Sequence, residues 1–222
     1  MKTLYAKYRH LLPFALYFII YMIWFTWLEE RHIWKYQIIH VFMDDYIPFC
    51  EFFVIPYYLW FIYMAAGIIF IAFTDGKLCW RLGIFLITGM TVFLFISTVY
   101  PNGQLLRPDT FARDNIFVHI VQRLYASDTP TNLFPSIHVY NSLAIYFGLA
   151  HSQKLQNKKW IKNAALVLTV CIILSTMFLK QHSVFDVLTA FALAAFMYSV
   201  CYGSIAVAFE RRRQKRIPAG QI

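Results

Sequence analysis

His182 and Asp186 stand four residues apart in KQHSVFD. On a helix that begins by His182, this spacing puts both side chains on one face. The carboxylate would then take the proton on one imidazole nitrogen and leave the other free as nucleophile or base. Asp186 opens an apolar stretch, where a carboxylate without a partner is costly. A pair that only ties the turn between two helices has the same signature, so both readings stand. His138 follows Phe134-Pro135-Ser136-Ile137, in which Pro135 and Ser136 mark a helix start with Ser136 as N-cap. Free N–H groups at such a start favour an anion. A histidine one turn in could give a proton to a departing alkoxide, or it could be a buried histidine bonded to a neighbouring helix.

Arg107 in YPNGQLLRP and Lys180 in LKQH are cations of the kind that bind phosphate, one as a fork and the other as a point charge. Each could equally anchor the chain at a headgroup surface. Arg113 and Arg123 lie in FARDNIFVHIVQRLYA, which predicts an amphipathic interfacial helix, and for them the anchor reading is the better one. Two histidines and a carboxylate could also make a metal set. Arg107 and Lys180 would crowd a second positive charge there, so no metal and no cofactor are expected. Cys50, Cys79, Cys171 and Cys201 lack metal-ligand spacing, and two of them fall in apolar blocks, which argues against a disulfide framework.

The elements that must position these residues are read from composition. The 222 residues are 60% hydrophobic, 19% aromatic and only 14% charged, with the apolar residues in long blocks. A bilayer crossing takes about 20 apolar residues, and each crossing must be helical. Six segments qualify: Leu11–Leu28, Val54–Thr74, Leu82–Tyr100, Ser136–His151, Trp160–Leu179 and Val184–Phe209. The fourth is the weakest, with His138, Asn141 and Ser142 near its start. The first is too long and lacks the cleavage site of a signal peptide, so it is read as a retained span. The expected fold is an all-α, polytopic membrane helix bundle of about six transmembrane helices. It would form a single integral membrane domain over 1–222, with a basic tail at 210–222.

The net charge of +9 suits nucleic acid as readily as an anionic membrane, but the positive residues sit between apolar blocks, which favours the membrane. Fourteen lysines and arginines fall on one side of the six spans and six on the other. The positive-inside rule then makes both termini cytoplasmic and puts Glu29–Phe53 and Pro101–Pro135 outside. The turn at Lys180–Ser183 emerges on that same outer side. Arg107, Ser136, His138, Lys180, His182 and Asp186 are thereby expected near one membrane surface, although far apart in sequence.

In that order and spacing the residues resemble the type 2 phosphatidic acid phosphatase family, whose motifs read K-x6-RP, PSGH and SR-x5-H-x3-D. The matching stretches are Tyr100–Pro108, Pro135–His138 and Ser175–Asp186, within 82–209. Tyr100 stands in place of the lysine, Ile137 of the glycine and Thr176 of the arginine. These departures are similar to a divergent branch that includes inositol-phosphorylceramide-synthase-like phosphotransferases. The resemblance implies that His182, oriented by Asp186, forms a phosphohistidine without a metal. It implies that His138 protonates the leaving alcohol and that Arg107, Lys180 and the amides near Ser136 hold the phosphoryl oxygens. The implied substrate is a lipid phosphate or diphosphate, with water or an alcohol as acceptor. A non-catalytic lipid-binding protein with a degenerate site is the rival reading. Lys180, one turn beyond Thr176, is expected to drape back over it and replace the missing cation.

Overall fold

The structure, a computed structural model, describes residues 11–203. Six helices build the bundle: α1 (Leu12–Glu30), α3 (Val54–Thr74), α4 (Gly76–Val99), α6 (Ile137–His151), α7 (Lys159–Phe178) and α8 (Val184–Cys201). Two shorter ones, α2 (Met43–Tyr46) and α5 (Ile116–Ser127), lie in the long connections. Five of the six are long and apolar enough to cross a membrane. The chain is an all-α polytopic membrane bundle. Eight of the fourteen basic residues behind the expected orientation, together with the 210–222 tail and the last residues of the expected final span, lie outside the described residues.

The remaining bundle helix, α6, the fourth in chain order, is the short one. Its 15 residues rise about 22 Å, against a hydrocarbon core of roughly 30 Å. Its position makes this length workable, because α3, α4, α7 and α8 all pack against it. Nine of its residues are buried, Asn141 and Ser142 among them, so it runs through protein rather than lipid. Close approach is enabled by glycine on the neighbours. A β-carbon on Gly89 of α4 would overlap the Tyr140 ring, and one on Gly67 of α3 would overlap Ile145. By contrast α1 leaves Leu16, Phe18, Ile19, Ile20 and Ile23 exposed, the surface expected of a helix at the lipid boundary.

Most expected boundaries hold to within two residues. Two ends differ by more: α8 closes at Cys201, with Tyr202 as its C-cap, short of the expected Phe209, and α4 starts at Gly76 rather than Leu82, because the Asp75 carboxylate caps it by accepting from the Leu78 amide at 3.0 Å. That single residue is the whole connection between α3 and α4. At the other end of the bundle the two long connections meet. Strands β1 (Gln37–Ile38) and β2 (Asn102–Gly103) pair in parallel, and the Cys50 amide donates to the Phe178 carbonyl at 3.0 Å. Both long connections and the α7–α8 turn therefore gather at one end. The amphipathic helix expected around Arg113 and Arg123 is α5, capped by the Asn115 side chain.

Candidate active site at one end of the bundle

The α7–α8 turn carries His182. It leaves α7 through Lys180, whose φ of 53° is left-handed. That conformation costs a non-glycine residue about 1–2 kcal/mol, so the surroundings must impose it. They do so thoroughly. The Thr176 carbonyl accepts from the amides of Gln181 and His182, at 2.9 and 3.0 Å. Gln104 Nε2 donates to the Lys180 carbonyl at 2.8 Å, and the Tyr125 hydroxyl donates to that of Leu179 at 2.6 Å.

Helix α8 begins at Val184, two residues later than a helix opening at His182. Ser183 is its N-cap, and Asp186 completes a capping box by accepting from the Ser183 amide at 3.0 Å. His182 thus precedes the cap. Its Nδ1 still lies 3.3 Å from Asp186 Oδ2, because the turn folds the ring back over the helix start. Both are buried, at 5% and 0% exposure. Nδ1 is the only ring atom of His182 with a hydrogen-bond partner among the described residues, which leaves Nε2 open.

His138 faces it from the first turn of α6. The two imidazole centres are 5.7 Å apart, edge to face. Tyr57 stacks on His138 at 4.8 Å and Trp60 tilts against it at 4.4 Å, so its ring is clamped by α3. Ser136 is fully buried and caps α6, its Oγ accepting from the Val139 amide at 3.4 Å. Its own amide donates to the Asp186 carbonyl at 3.3 Å. Ser136 therefore fixes α6 to α8 and has no N–H to offer an anion. The amides of Ile137 and His138, which a helix start leaves without intrahelical partners, are the ones available.

Arg107 reaches the turn from the second connection. Its Nη2 donates to Gln181 Oε1 at 2.5 Å and its Nη1 to the Tyr125 carbonyl at 3.2 Å, with the guanidinium 4.4 Å over the Tyr125 ring. Gln181 in turn donates to Asp128 Oδ2 at 3.2 Å, and so does the Tyr57 hydroxyl at 3.1 Å. Burial pushes the Asp128 carboxyl above its ordinary range, against the pull of Tyr57, Arg107 and His182. Asp128 and Gln181 were not singled out in the sequence, since neither has a local pattern that marks it.

Lys180 does not go where its helical spacing suggests. Once the backbone turns left-handed, its Nζ reaches the Asp44 carbonyl at 2.8 Å instead of lying over Thr176. Thr176 is fully buried, with its hydroxyl on the Ile173 carbonyl. The structure thus brings His138, His182 and Asp186 together, joins Arg107 to them through Gln181, and takes Lys180 to the first connection. Among the described residues no three His, Cys, Asp or Glu side chains gather as a metal site would require.

The PAP2 superfamily model matches residues 77–209, more than half of the chain. The chain belongs to the PAP2 superfamily. Its matched segment holds every residue of the histidine site apart from Tyr57 and Trp60, which come from α3. Membership brings phosphatase or phosphotransferase chemistry on lipid phosphates. Searches of curated proteins and of solved structures found no match.

Proposed function

We propose that this PAP2 protein is a membrane lipid-phosphate phosphatase that works through a phosphohistidine. The observation that carries the reading is His182 held at Nδ1 by Asp186, open at Nε2, and faced by His138 across 5.7 Å. Nε2 of His182 attacks phosphorus, the bond from phosphorus to the lipid oxygen breaks, and His138 gives that oxygen its proton. Asp186 stabilises the imidazolium form of His182 that the attack creates. His138, now neutral, takes a proton from water, whose oxygen attacks phosphorus and releases His182 and free phosphate. Arg107 and the amides of Ile137 and His138 supply the positive field for the phosphoryl oxygens. Lys180 contributes charge from behind the turn rather than a direct contact.

An alcohol in place of that water would make the same site a phosphotransferase, as in the inositol-phosphorylceramide-synthase-like branch. Purified protein incubated with phosphatidate, phosphatidylglycerophosphate, a polyprenyl diphosphate and a sphingolipid phosphate separates the two, with and without inositol or glycerol. Release of free phosphate is the expected result. Phosphate carried to the added alcohol, as inositol phosphate or glycerol phosphate, would move the assignment to transfer, and binding without turnover of any substrate would overturn it.

The charge asymmetry of the sequence supports a site on the non-cytoplasmic face of a cell membrane. Thr110 is exposed at the site end, so a single cysteine placed there in a cysteine-free background is a fair probe. It should react with an impermeant thiol reagent from outside. Reaction from the cytoplasmic side alone reverses the orientation.

A further inference from the structure

We infer that Asp44 is a positioning residue for His182, acting through the start of α8. The inference rests on the reading of His182 as the nucleophile. Asp44 lies in α2 of the first connection, 139 residues before Ser183, and is 2% exposed. Its Oδ2 accepts from the Ser183 hydroxyl at 2.6 Å and from the Val41 amide at 2.9 Å. Its Oδ1 accepts from the Val184 amide at 2.8 Å. Its backbone carbonyl accepts from Lys180 Nζ at 2.8 Å. One residue therefore grips the turn on both sides of His182, at Lys180 before it and at Ser183 and Val184 after it.

This grip goes beyond capping a helix. The start of α8 already has its own capping box from Ser183 and Asp186. Asp44 adds a second buried carboxylate to the same helix start, an arrangement that like charge disfavours. The two carboxylates constrain different motions. Asp186 holds the ring at Nδ1. Asp44 ties the turn to the first connection, which sets where the ring stands relative to His138 on α6. Attack on phosphorus needs both, since a misplacement of about 1 Å can lower a rate about a hundredfold. The same geometry explains Lys180, whose left-handed backbone and outward side chain serve the Asp44 carbonyl.

The test uses the full chain in phospholipid nanodiscs with dioctanoyl phosphatidate, and 4-nitrophenyl phosphate as the activated analogue. Enzyme is held in saturating excess so that each substrate turns over once. Under that condition a folding defect reduces the number of working molecules but leaves the rate constant unchanged, whereas a misplaced nucleophile lowers it. Asp44→Asn should lower the rate constant about tenfold to a hundredfold for both substrates alike, with KM within about twofold of the parent. Adding Ser183→Ala should cost little more in rate constant, because the charged acceptor of its hydroxyl is already lost. Lys180→Met loosens the grip from the other side and reads the same quantity should Asp44→Asn fail to fold, with a fall of about threefold to tenfold. Parental single-turnover rate constants in Asp44→Asn, or in Lys180→Met where it stands in, overturn the inference. His182→Ala is the control: persistent turnover there removes the nucleophile assignment, while a dead His182→Ala beside an unslowed Asp44→Asn removes the positioning role alone.

Discussion

His151 closes α6 at one end of the bundle, and His182 precedes α8 at the other. His151 has both ring nitrogens engaged, Nδ1 with the Phe147 carbonyl at 2.9 Å and Nε2 with the Tyr198 hydroxyl at 3.4 Å. Its ring stacks on Tyr202 at 4.6 Å, and no carboxylate bonds to it among the described residues. Among the described residues, His182 has Asp186 on one nitrogen and no hydrogen-bond partner on the other. Its surroundings also differ in kind: His138 faces it from α6, and Arg107 and Asp128 reach the preceding residue, Gln181, from the second connection. An imidazole with a partner on each nitrogen, one in its own helix and one on α8, ties a helix end down. One held by a carboxylate and left open towards a second histidine has the arrangement that the proposed transfer needs. The contrast lies in the partners, since both rings are largely enclosed.

The sharpest way to break this comparison is to remove its two sides in turn. His182→Ala should lower phosphatidate turnover by about a thousandfold or more. Asp186→Asn should lower it by about a hundredfold to ten-thousandfold, because the amide no longer supports the imidazolium form of His182. Steady-state kinetics on folded protein, with trapping of acid-labile phosphoenzyme, checks both. Near-parental turnover in His182→Ala would erase the distinction between the two histidines.

His138 comes next. His138→Ala should cost about a hundredfold to ten-thousandfold with a lipid phosphate, whose alkoxide needs a proton. In the step that releases the leaving group, read as the burst of 4-nitrophenolate, it should cost much less with 4-nitrophenyl phosphate, whose leaving group departs without one. Equal losses for the two substrates in that step would show that His138 does not protonate the leaving oxygen.

The bundle was largely legible in the sequence, because lipid leaves helices no alternative and their apolar blocks are long. Val54–Thr74 was read to the residue. The late start expected for α4 followed from counting apolar residues, which misses a cap such as Asp75 lying among polar neighbours. In the site, the motif residues were legible because their spacing is local: His182 and Asp186, or Ser136 and His138. Asp44, Asp128 and Gln181 were not, since their roles depend on contacts between segments that only the fold brings together. Lys180 shows the limit of helical extrapolation. It lies one turn beyond Thr176 only while the helix continues, and α7 ends at Phe178.

That limit gives a smaller prediction. Lys180→Met should reduce steady-state turnover only about threefold to tenfold, the loss of one charged hydrogen bond to a carbonyl partly offset by the surrounding contacts. Burial pulls the Lys180 ammonium below its ordinary range, against Asp44 and Asp45, which fits a tether near the first connection. Adding Thr176→Arg should not restore activity, because Thr176 has no exposed surface through which a longer side chain could reach the site. A loss beyond a hundredfold, recovered by Thr176→Arg, would return Lys180 to direct contact with phosphate.

The smallest effect on activity is expected at the other end. His151→Phe keeps a flat ring against Tyr202 while removing both nitrogens. It leaves the Phe147 carbonyl without its imidazole partner and the Tyr198 hydroxyl without its acceptor. Each lost bond is worth about 0.5–1.5 kcal/mol, and stacking of the new ring offsets part of that. Lipid turnover per folded molecule should therefore stay within about twofold of the parent, while the unfolding midpoint falls by a few degrees. Thermal unfolding and turnover measured on the same preparation separate the two effects. A large loss of turnover with an unchanged midpoint would mean that the two ends of α6 are coupled in catalysis, and the division between a structural and a reactive histidine would have to be redrawn along the whole helix.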